Sequence, residues 1–357
     1  MLRLIQLTPP GRGAIATLRI EGPRAAELLA TRISTRSGLS LTDLPNDRLV
    51  VGRFGGPQGE EIVVRRISTE AAELHCHGGL ATVTRIEQAL ADCCQLVPWK
   101  TWTELHAGDP IAAAAQMALA EARTERTAAI LLDQYRGALR RVIEEIQSDL
   151  TAQRPASARQ KIDALLARAA VGLHLVRPWR VVIGGQPNVG KSSLINALVG
   201  YRRAIVHPTA GTTRDAVIVE TAIDGWPVQL SDTAGLRDAS DPVERAGVDL
   251  ARGRLETADL TILVFDRSAA WSAADASLAA SYRGALLVHN KADLVPTDDA
   301  DDRPEGPVLS AITLQGLEVL CEAISQRLVS EPPPPGAAVP FTAEQIEQIA
   351  EYGKRLG

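Results

Sequence analysis

Short runs of alternating apolar and polar positions dominate the first hundred residues. This alternation predicts strands over 14–20, around Val50, around Ile62 and over 73–77, with helices after Pro23 and from Leu80. Such an order of elements is typical of a small α/β domain, which we place at residues 1–100.

Apolar residues recur at helical spacing from Asp109 to about Val176. Two stripes fall on single helix faces: Leu139, Val142, Ile143, Ile146 and Leu150, then Ile162, Leu165, Leu166, Ala169 and Leu173. Arg154-Pro155 interrupts the pattern, because proline cannot continue a helix from within. We therefore expect a helical domain over 101–176 with two or three antiparallel helices.

Strands and helices alternate again over residues 177–330, as a doubly wound parallel sheet requires. Asp224-Gly225 predicts a hairpin between strands over 216–223 and 226–231, so one strand should run antiparallel. Further strands are expected over 260–265 and 285–289. The last segment, 331–357, contains four consecutive prolines typical of a stiff linker, followed by an amphipathic pattern that predicts one short helix.

A phosphate-binding loop follows the first strand of this third region. Residues 185–192 match the pattern G-x-x-x-x-G-K-[ST], with a strand-like run before them and a helical run after them. Backbone N–H groups of such a loop hold phosphate, Lys191 would reach the outer phosphates and Ser192 would bind Mg²⁺. We also assign Asn188, Val189, Gly190 and Ser193 to nucleotide binding. The alternative is a glycine turn before a structural helix.

Four further segments follow in the order of a GTPase. Residues 211–215 offer Thr212 and Thr213, of which Thr213 would bind Mg²⁺, and residues 232–235 offer the Asp232 carboxylate and the Gly235 N–H. Residues 290–293 supply Asn290, Lys291 and Asp293, and Ser310-Ala311 would supply an N–H for the guanine oxygen. The Asp293 carboxylate can accept two hydrogen bonds from guanine that adenine cannot offer, so GTP is preferred over ATP.

Composition narrows the class of protein without changing this interpretation. The chain of 357 residues is 45% hydrophobic and 23% charged, with a net charge of −5, so RNA contact would need a local basic patch. Four cysteines lack paired motif spacing, and no leader or long apolar run is present. We therefore expect a cytoplasmic protein without a membrane segment.

Two questions stay open at this level. Leu236 stands where many GTPases carry a water-orienting glutamine, so another group must orient water, and either an arginine or a bound cation must supply positive charge. In the first region, Arg19 and Glu73 could form a ligand-binding pair or a solvated pair. His75, Cys76 and His77 admit a metal site, although no further cluster completes four ligands.

Taken together, these residues resemble the tRNA-modification GTPases called MnmE or TrmE. The likeness rests on residues 8–13, 18–20, 73–74, 77–79, 185–198, 204–206, 211–215 and, most specifically, 232–247. It implies a P-loop GTPase doubly wound sheet, preceded by a small α/β folate-binding-like domain and a reduced helical domain.

The resemblance also implies site residues and partners. Arg19 and Glu73 match positions that bind formyl-tetrahydrofolate, and Glu244 matches the catalytic glutamate that orients water. K⁺ would be bound by Asn188, Thr212 and the backbone near His207 and Thr209, replacing an arginine. A homodimer through the N-terminal and G domains, a flavin-dependent partner subunit and tRNA, modified at the wobble uridine, are implied as well.

The sequence also departs from the family pattern. The family ends in Cys-x-Gly-Lys, whereas residues 351–354 read Glu-Tyr-Gly-Lys, and a further basic folate contact is not recognisable near Trp99. Two other functions therefore stay open: a GTP-driven switch or ribosome-assembly factor without modification activity, and a nucleotide-sensing interaction module with negligible turnover.

Overall fold

The computed structural model describes residues 1–11, 13–201, 218–232, 258–295 and 303–356. It divides into two compact units, Met1–Ala113 and Ala114–Gly357. Across these described ranges, no helix combines the length and apolar character that a membrane span requires.

The first unit is built on one seven-stranded sheet with the strand order β3-β4-β5-β6-β2-β1-β7. Its elements are β1 Leu2–Gln6, β2 Ile15–Glu21, α1 Ala25–Ala30, β3 Ile33–Thr35, β4 Leu49–Phe54, β5 Glu60–Arg66, β6 Ala71–His77, α2 Leu80–Leu90, β7 Cys94–Leu96 and α3 Trp99–His106. Neighbouring strands are antiparallel except for the parallel pair of β1 and β7. The sequence predicted β2, β4, β5, β6 and both α1 and α2, but not the strands β1, β3 and β7.

The two faces of this sheet have opposite character. Leu18, Ile20 and Leu74 are fully buried on the side that carries the hydrophobic core. Because side chains alternate along a strand, Arg19 and Glu73 lie on the other face, where β2 and β6 place them directly opposite each other. The alternation that predicts these strands therefore also places Arg19 and Glu73 together on the polar face of the sheet.

The helical part contains five helices rather than the two or three expected. They are α4 Pro110–Glu121, α5 Glu125–Tyr135, α6 Ala138–Thr151, α7 Pro155–Ala167 and α8 Ala169–Leu173, and the boundary between the two units falls inside α4. Thr124 caps α5 by accepting a hydrogen bond from the Thr127 N–H, and Gly137 adopts φ 91° before α6. These local breaks divide the helical region into more helices than the proline alone predicts.

A buried carboxylate joins α6 to α7. Asp149 accepts hydrogen bonds from Lys161 Nζ and Ser157 Oγ, each at 2.6 Å, and lies 2.7 Å from Arg154 Nη2. Hydrogen bonds from Lys161 and Ser157 outweigh the opposing effect of burial and lower the pKa of Asp149 to about 2. The folded state therefore strongly favours the charged carboxylate at this turn.

Asp149→Asn is expected to lower the urea midpoint of unfolding near neutral pH. An acid whose folded pKa is lowered stabilises the fold above its unfolded pKa of about 3.9 and loses that contribution as pH falls further. The difference from wild type should therefore shrink between about pH 4 and about pH 2. Asp163→Asn, at an exposed position of the neighbouring helix α7, is the control, and an equal loss in both variants would contradict the assignment.

The remaining part of the second unit is a five-stranded sheet with the order β12-β11-β8-β10-β9. Its elements are β8 Trp179–Gly184, α9 Lys191–Gly200, β9 Ile218–Ile223, β10 Trp226–Asp232, β11 Leu260–Asp266, α10 Ala273–Ser281, β12 Leu286–Asn290, a 3-10 turn Ala292–Leu294 and α11 Leu317–Leu328. Strands β8, β10, β11 and β12 run parallel, and β9 is antiparallel to β10. The predicted P-loop GTPase sheet and its hairpin at Asp224-Gly225 are confirmed.

Contacts from two helices hold the turn of this hairpin. Thr124 Oγ1 donates to the Gly225 carbonyl at 2.7 Å, and Ser325 Oγ on α11 donates to Asp224 Oδ2 at 3.0 Å. The Arg126 guanidinium lies 5.1 Å from the centre of the Trp226 ring. Contacts from α5 and α11 therefore fix the start of β10, the strand that ends at Asp232.

The C-terminal segment returns to the helices. Gln134, fully buried on α5, donates to the Ala337 carbonyl at 3.0 Å and accepts from the Val339 N–H at 3.1 Å. A side chain at Gly172 would come within 1.8 Å of the Pro340 carbonyl oxygen, so the two backbones are in close contact. Helix α12, Ala343–Lys354, then packs on α7. The domain boundaries that the sequence predicts at residues 100, 176 and 330 stay predictions.

Candidate nucleotide-binding site

The loop between β8 and α9 has the backbone of a phosphate cradle. Gly185, Asn188 and Gly190 all adopt positive φ, at 145°, 63° and 94°. A Cβ at Gly185 would come within 2.3 Å of the Val264 carbonyl oxygen, and one at Gly190 within 2.3 Å of Asn290 Nδ2. Only glycine fits at these two positions, and the loop that they shape leads into the start of a helix, where backbone N–H groups can bind an anion.

Lys191 lies at the first position of α9 and is 7% exposed. Its ammonium donates to the Gly185 carbonyl at 3.1 Å and the Gln186 carbonyl at 2.9 Å. A positive charge at a helix N-terminus is unfavourable unless an anion is close, because the helix end itself carries partial positive charge. The side chain and the helix end therefore favour the same ligand, a phosphate group.

Ser192 and Asp232 form the candidate magnesium site. Ser192 Oγ, on the first turn of α9, donates to Asp232 Oδ2 at 3.0 Å, and Asp232 is the buried last residue of β10. Mg²⁺ prefers oxygen ligands and binds through one or two protein groups together with substrate phosphates. This hydroxyl beside a buried carboxylate fits that preference. Ser192 and Ser193 are both exposed at the helix start.

Asn290 connects the phosphate loop to the predicted base-binding segment. Its side chain is 2% exposed, donates from Nδ2 to the Val189 carbonyl at 2.9 Å and accepts from the Ala311 N–H at 3.0 Å. One buried amide thus links three segments that are distant in sequence. It also gives the Ala311 N–H an acceptor other than the guanine oxygen proposed for it from the sequence.

Lys291 and Asp293 follow at the carboxyl end of β12. Lys291 adopts φ 66° and its Nζ donates to Asp266 Oδ2 at 2.6 Å. Burial alone would raise the pKa of Asp266, but hydrogen bonds from Lys291 and Ser268 outweigh it, and the pKa lies below its ordinary value. Asp293 is exposed, and its carboxylate has no hydrogen-bond partner within the described residues. It is available to a ligand.

The other predicted site residues either shape a loop of the site or lie outside the described residues. Ser310 is fully buried, and its hydroxyl accepts from the Ile312 and Thr313 N–H groups, which shapes the loop around Ala311. The remaining predicted residues lie outside the described ranges: His207, Thr209, Thr212, Thr213, Gly235 and Glu244. Their assignments stay predictions.

The pair Arg19 and Glu73 belongs to a larger polar network. Arg19 Nη1 donates to Glu73 Oε1 at 3.4 Å and Arg19 Nε to Glu21 Oε2 at 3.1 Å, while Arg65 Nη1 donates to Glu73 Oε2 at 3.3 Å. The side chains of Arg19 and Glu73 are 20% and 12% exposed, so the pair is only partly accessible to solvent. The sequence did not predict Glu21, Arg65 or the ring of Trp102, which lies 5.2 Å from Arg19 Cζ.

The three residues considered for a metal do not share one face of the sheet. Cys76 is buried in the hydrophobic core, whereas His75 Nδ1 shares a hydrogen bond of 3.0 Å with Thr17 Oγ1 on the polar face. His77 pairs with Glu60. Within the described residues, no group of three His, Cys, Asp or Glu side chains is arranged to hold a metal ion.

The fold and this site define a P-loop GTPase. A family model described as 50S ribosome-binding GTPase matches residues 180–291. The chain is 32% identical to the tRNA modification GTPase MnmE of Prochlorococcus marinus, covering 88% of this chain and 78% of the relative. It is also 32% identical to the protein of that name from Thermus thermophilus, covering 98% and 87%. The chain therefore belongs to the tRNA modification GTPase MnmE family.

Among solved structures, two are similar to part of this chain. Era of Aquifex aeolicus, bound to GDP and AlF4⁻, is 27% identical with a TM-score of 0.33, covering 42% of this chain and 56% of that chain. The G domain of the Thermotoga maritima FeoB iron transporter is 26% identical with a TM-score of 0.31, covering 42% and 99%.

Proposed function

We propose that this protein binds and hydrolyses GTP in order to modify the wobble uridine of certain tRNAs. The observation that carries the proposal is the linked site in which Asn290 joins the phosphate loop to the base-binding segments. Lys191 and the Ser192–Asp232 pair complete it on the phosphate side. The names of the family members supply the tRNA-modification role.

In this proposal two cations support hydrolysis. Ser192 and Thr213 would hold Mg²⁺, and Asn188, Thr212 and the backbone near His207 and Thr209 would hold K⁺. The exposed Asn188, held at φ 63° on the rim of the phosphate loop, is well placed for such a role. A bound K⁺ would supply the transition-state charge that an arginine gives in other GTPases, and Glu244 would orient the water that Leu236 cannot.

GTP turnover should depend on the monovalent cation. We expect hydrolysis in K⁺ to be at least about tenfold faster than in Na⁺ at equal ionic strength, since the missing charge is worth roughly 10³ to 10⁵ in rate. Asn188→Ala should remove most of this difference. Phosphate release under saturating GTP is the measurement. Equal rates in the two salts would contradict a catalytic role for K⁺ and would favour an arginine as the source of the positive charge.

The polar face of the first unit supports a further part of the proposal, the binding of formyl-tetrahydrofolate. Arg19 and Glu73 offer a donor and an acceptor side by side, and the Trp102 indole adds a flat ring. A pterin is planar and carries both donors and acceptors, so these residues fit it. The bound group would supply the one-carbon unit. The Trp102 indole N–H donates to Glu21 Oε1 at 2.8 Å and holds the ring in place.

The same proposal includes partners and location. We infer a homodimer formed through the N-terminal and G domains, a flavin-dependent partner subunit and tRNA as the substrate. Binding to tRNA needs a local basic surface, because the net charge is −5. A protein that consumes GTP and acts on tRNA would work in the cytoplasm.

Analysis of wobble uridines in a deletion strain tests the tRNA role. We expect the modified nucleoside to disappear, to return on complementation with the wild-type gene, and to stay absent with the hydrolysis-deficient Glu244→Ala variant. Nucleoside mass spectrometry of purified tRNA is the measurement. Unchanged tRNA in the deletion strain would exclude the modification role.

One specific finding favours a second candidate function. The family model that matches residues 180–291 is described as a ribosome-binding GTPase, which supports a GTP-driven switch in ribosome assembly. In that case the deletion strain should keep its modified uridines and accumulate incomplete ribosomal subunits in sucrose gradients. A nucleotide-sensing module would bind GTP but release no phosphate in K⁺.

A further inference from the structure

Arg303 lies outside every motif that the sequence identified, yet it contacts the base-binding end of the site. Its Nη1 donates to the Asp266 carbonyl at 2.8 Å, and its Nη2 donates to the Arg267 carbonyl at 3.2 Å and to the Ala269 carbonyl. One side chain thus holds three backbone carbonyls at the end of β11 and in the loop that follows it. We call residues 266–269 the β11 loop.

The β11 loop in turn holds the residues predicted to contact guanine. The Asp266 carboxylate accepts from Lys291 Nζ at 2.6 Å, and the Arg267 N–H donates to the Asn290 carbonyl at 2.9 Å. Ser268 closes the loop by donating from its N–H and hydroxyl to Asp266 Oδ1 at 2.9 and 2.6 Å. The position of Lys291, and of the Asp293 turn that follows it, therefore depends on this loop.

Arg303 also begins the segment that leads to Ser310 and Ala311. The carbonyl of its neighbour Pro304 lies 2.8 Å from His289 Nε2, and the His289 N–H donates to the Pro307 carbonyl at 2.9 Å. This segment is consequently fixed along β12, beside Asn290. Arg303 connects it to the β11 loop, so that the segments at 266–269, 290–293 and 303–311 form one continuous set of contacts.

We infer that Arg303 is a positioning residue for guanine recognition, acting through the β11 loop on Lys291 and Asp293. This inference rests on the proposed use of GTP at this site. The planar guanidinium donates several hydrogen bonds in a fixed geometry, whereas a lysine ammonium acts as a single point charge, so lysine cannot reproduce these contacts. Loss of the side chain should loosen base contacts and leave the phosphate contacts of Lys191 and Ser192 intact.

The test compares two nucleotides that differ only in the exocyclic amino group, one of the two groups that Asp293 would recognise. ITP lacks the exocyclic amino group of GTP, so the ratio of their dissociation constants reports on that contact. We expect Arg303→Ala to weaken GTP binding by about tenfold, to weaken ITP binding less and so to reduce the ratio several-fold. At saturating GTP, the turnover number should stay within about twofold of wild type, because weaker GTP binding raises KM and leaves kcat unchanged.

Arg327→Ala is the matched control. Arg327, on the last turn of α11, also donates to a backbone carbonyl, that of Gly284 at 3.3 Å, but not to the β11 loop. Should Arg303→Ala fail to fold, Arg303→Gln and Arg303→Lys replace it, and each should lower the GTP to ITP preference. An unchanged preference in the folded variants overturns the inference, whereas failure of the wild type to bind GTP overturns the proposed function instead.

Discussion

Lys191→Ala is expected to reduce affinity for GTP by roughly 100-fold or more and to abolish measurable hydrolysis. The ammonium is buried among the carbonyls of Gly185 and Gln186 at the positive end of α9, where a phosphate is the natural counter-charge. Removing one partner of a close charge pair costs about 2–5 kcal/mol, and each 1.4 kcal/mol is about tenfold in affinity. Equilibrium binding of a fluorescent GTP analogue and phosphate release measure the two effects.

Lys100→Ala, at an exposed position of α3, is the control for this experiment. It removes the same charge and should leave binding unchanged. Circular dichroism of both variants separates lost contacts from lost folding, since Lys191 also braces the loop in the absence of nucleotide. Affinity retained by a folded Lys191→Ala protein would contradict the phosphate-binding assignment on which the proposed function depends.

Local chemistry explains why the phosphate loop could be predicted from the sequence. The glycines at 185 and 190 are required by positive φ and by close approach of Val264 and Asn290, so the motif itself encodes the backbone. The hairpin is similar, because Asp224 and Gly225 adopt the two positive φ values, 48° and 76°, of the turn that this pair favours. In both cases a few neighbouring residues determine the conformation.

Short strands and extra helix breaks were not predictable in the same way. Strands β3 and β7 have three residues each, too few for an alternating pattern, and are formed by pairing with β4 and β1. In the helical part, the break before α6 depends on Gly137 in a left-handed conformation. A single glycine within a helical pattern can either be tolerated inside a helix or end it, so the sequence left that break undetermined.

Tertiary contacts decide the parts of the site that the sequence missed. Arg303 reaches the β11 loop across 34 to 37 positions of sequence, and no local pattern marks it. Glu21 and Trp102 are 81 positions apart and meet beside Arg19 only because α3 contacts β1, next to β2. Motifs report residues that contact a ligand, whereas residues that hold those contacts in place are found through the fold.

A second substitution with a large expected effect changes recognition of the guanine base. Asp293→Asn is expected to lower affinity for GTP by roughly two orders of magnitude and to make XTP the better ligand. A carboxylate accepts hydrogen bonds from the ring N–H and amino group of guanine, and a site built for such contacts strongly rejects a ligand that leaves them unpaired. The amide of asparagine instead offers an N–H₂ group to the carbonyl that xanthine carries in place of the amino group.

Competition between GTP and XTP for the same fluorescent analogue measures this change. The carboxylate of Asp293 is exposed and makes no hydrogen bond within the described residues, so its replacement should leave the melting temperature nearly unchanged. Asp275→Asn, at the capping box of α10, is the opposite control: it should lower stability without altering the preference, because Asp275 accepts from the Ser272 N–H and hydroxyl. If Asp293→Asn keeps its preference for GTP, another residue reads the base, and the assignment of the whole 290–293 segment fails with it.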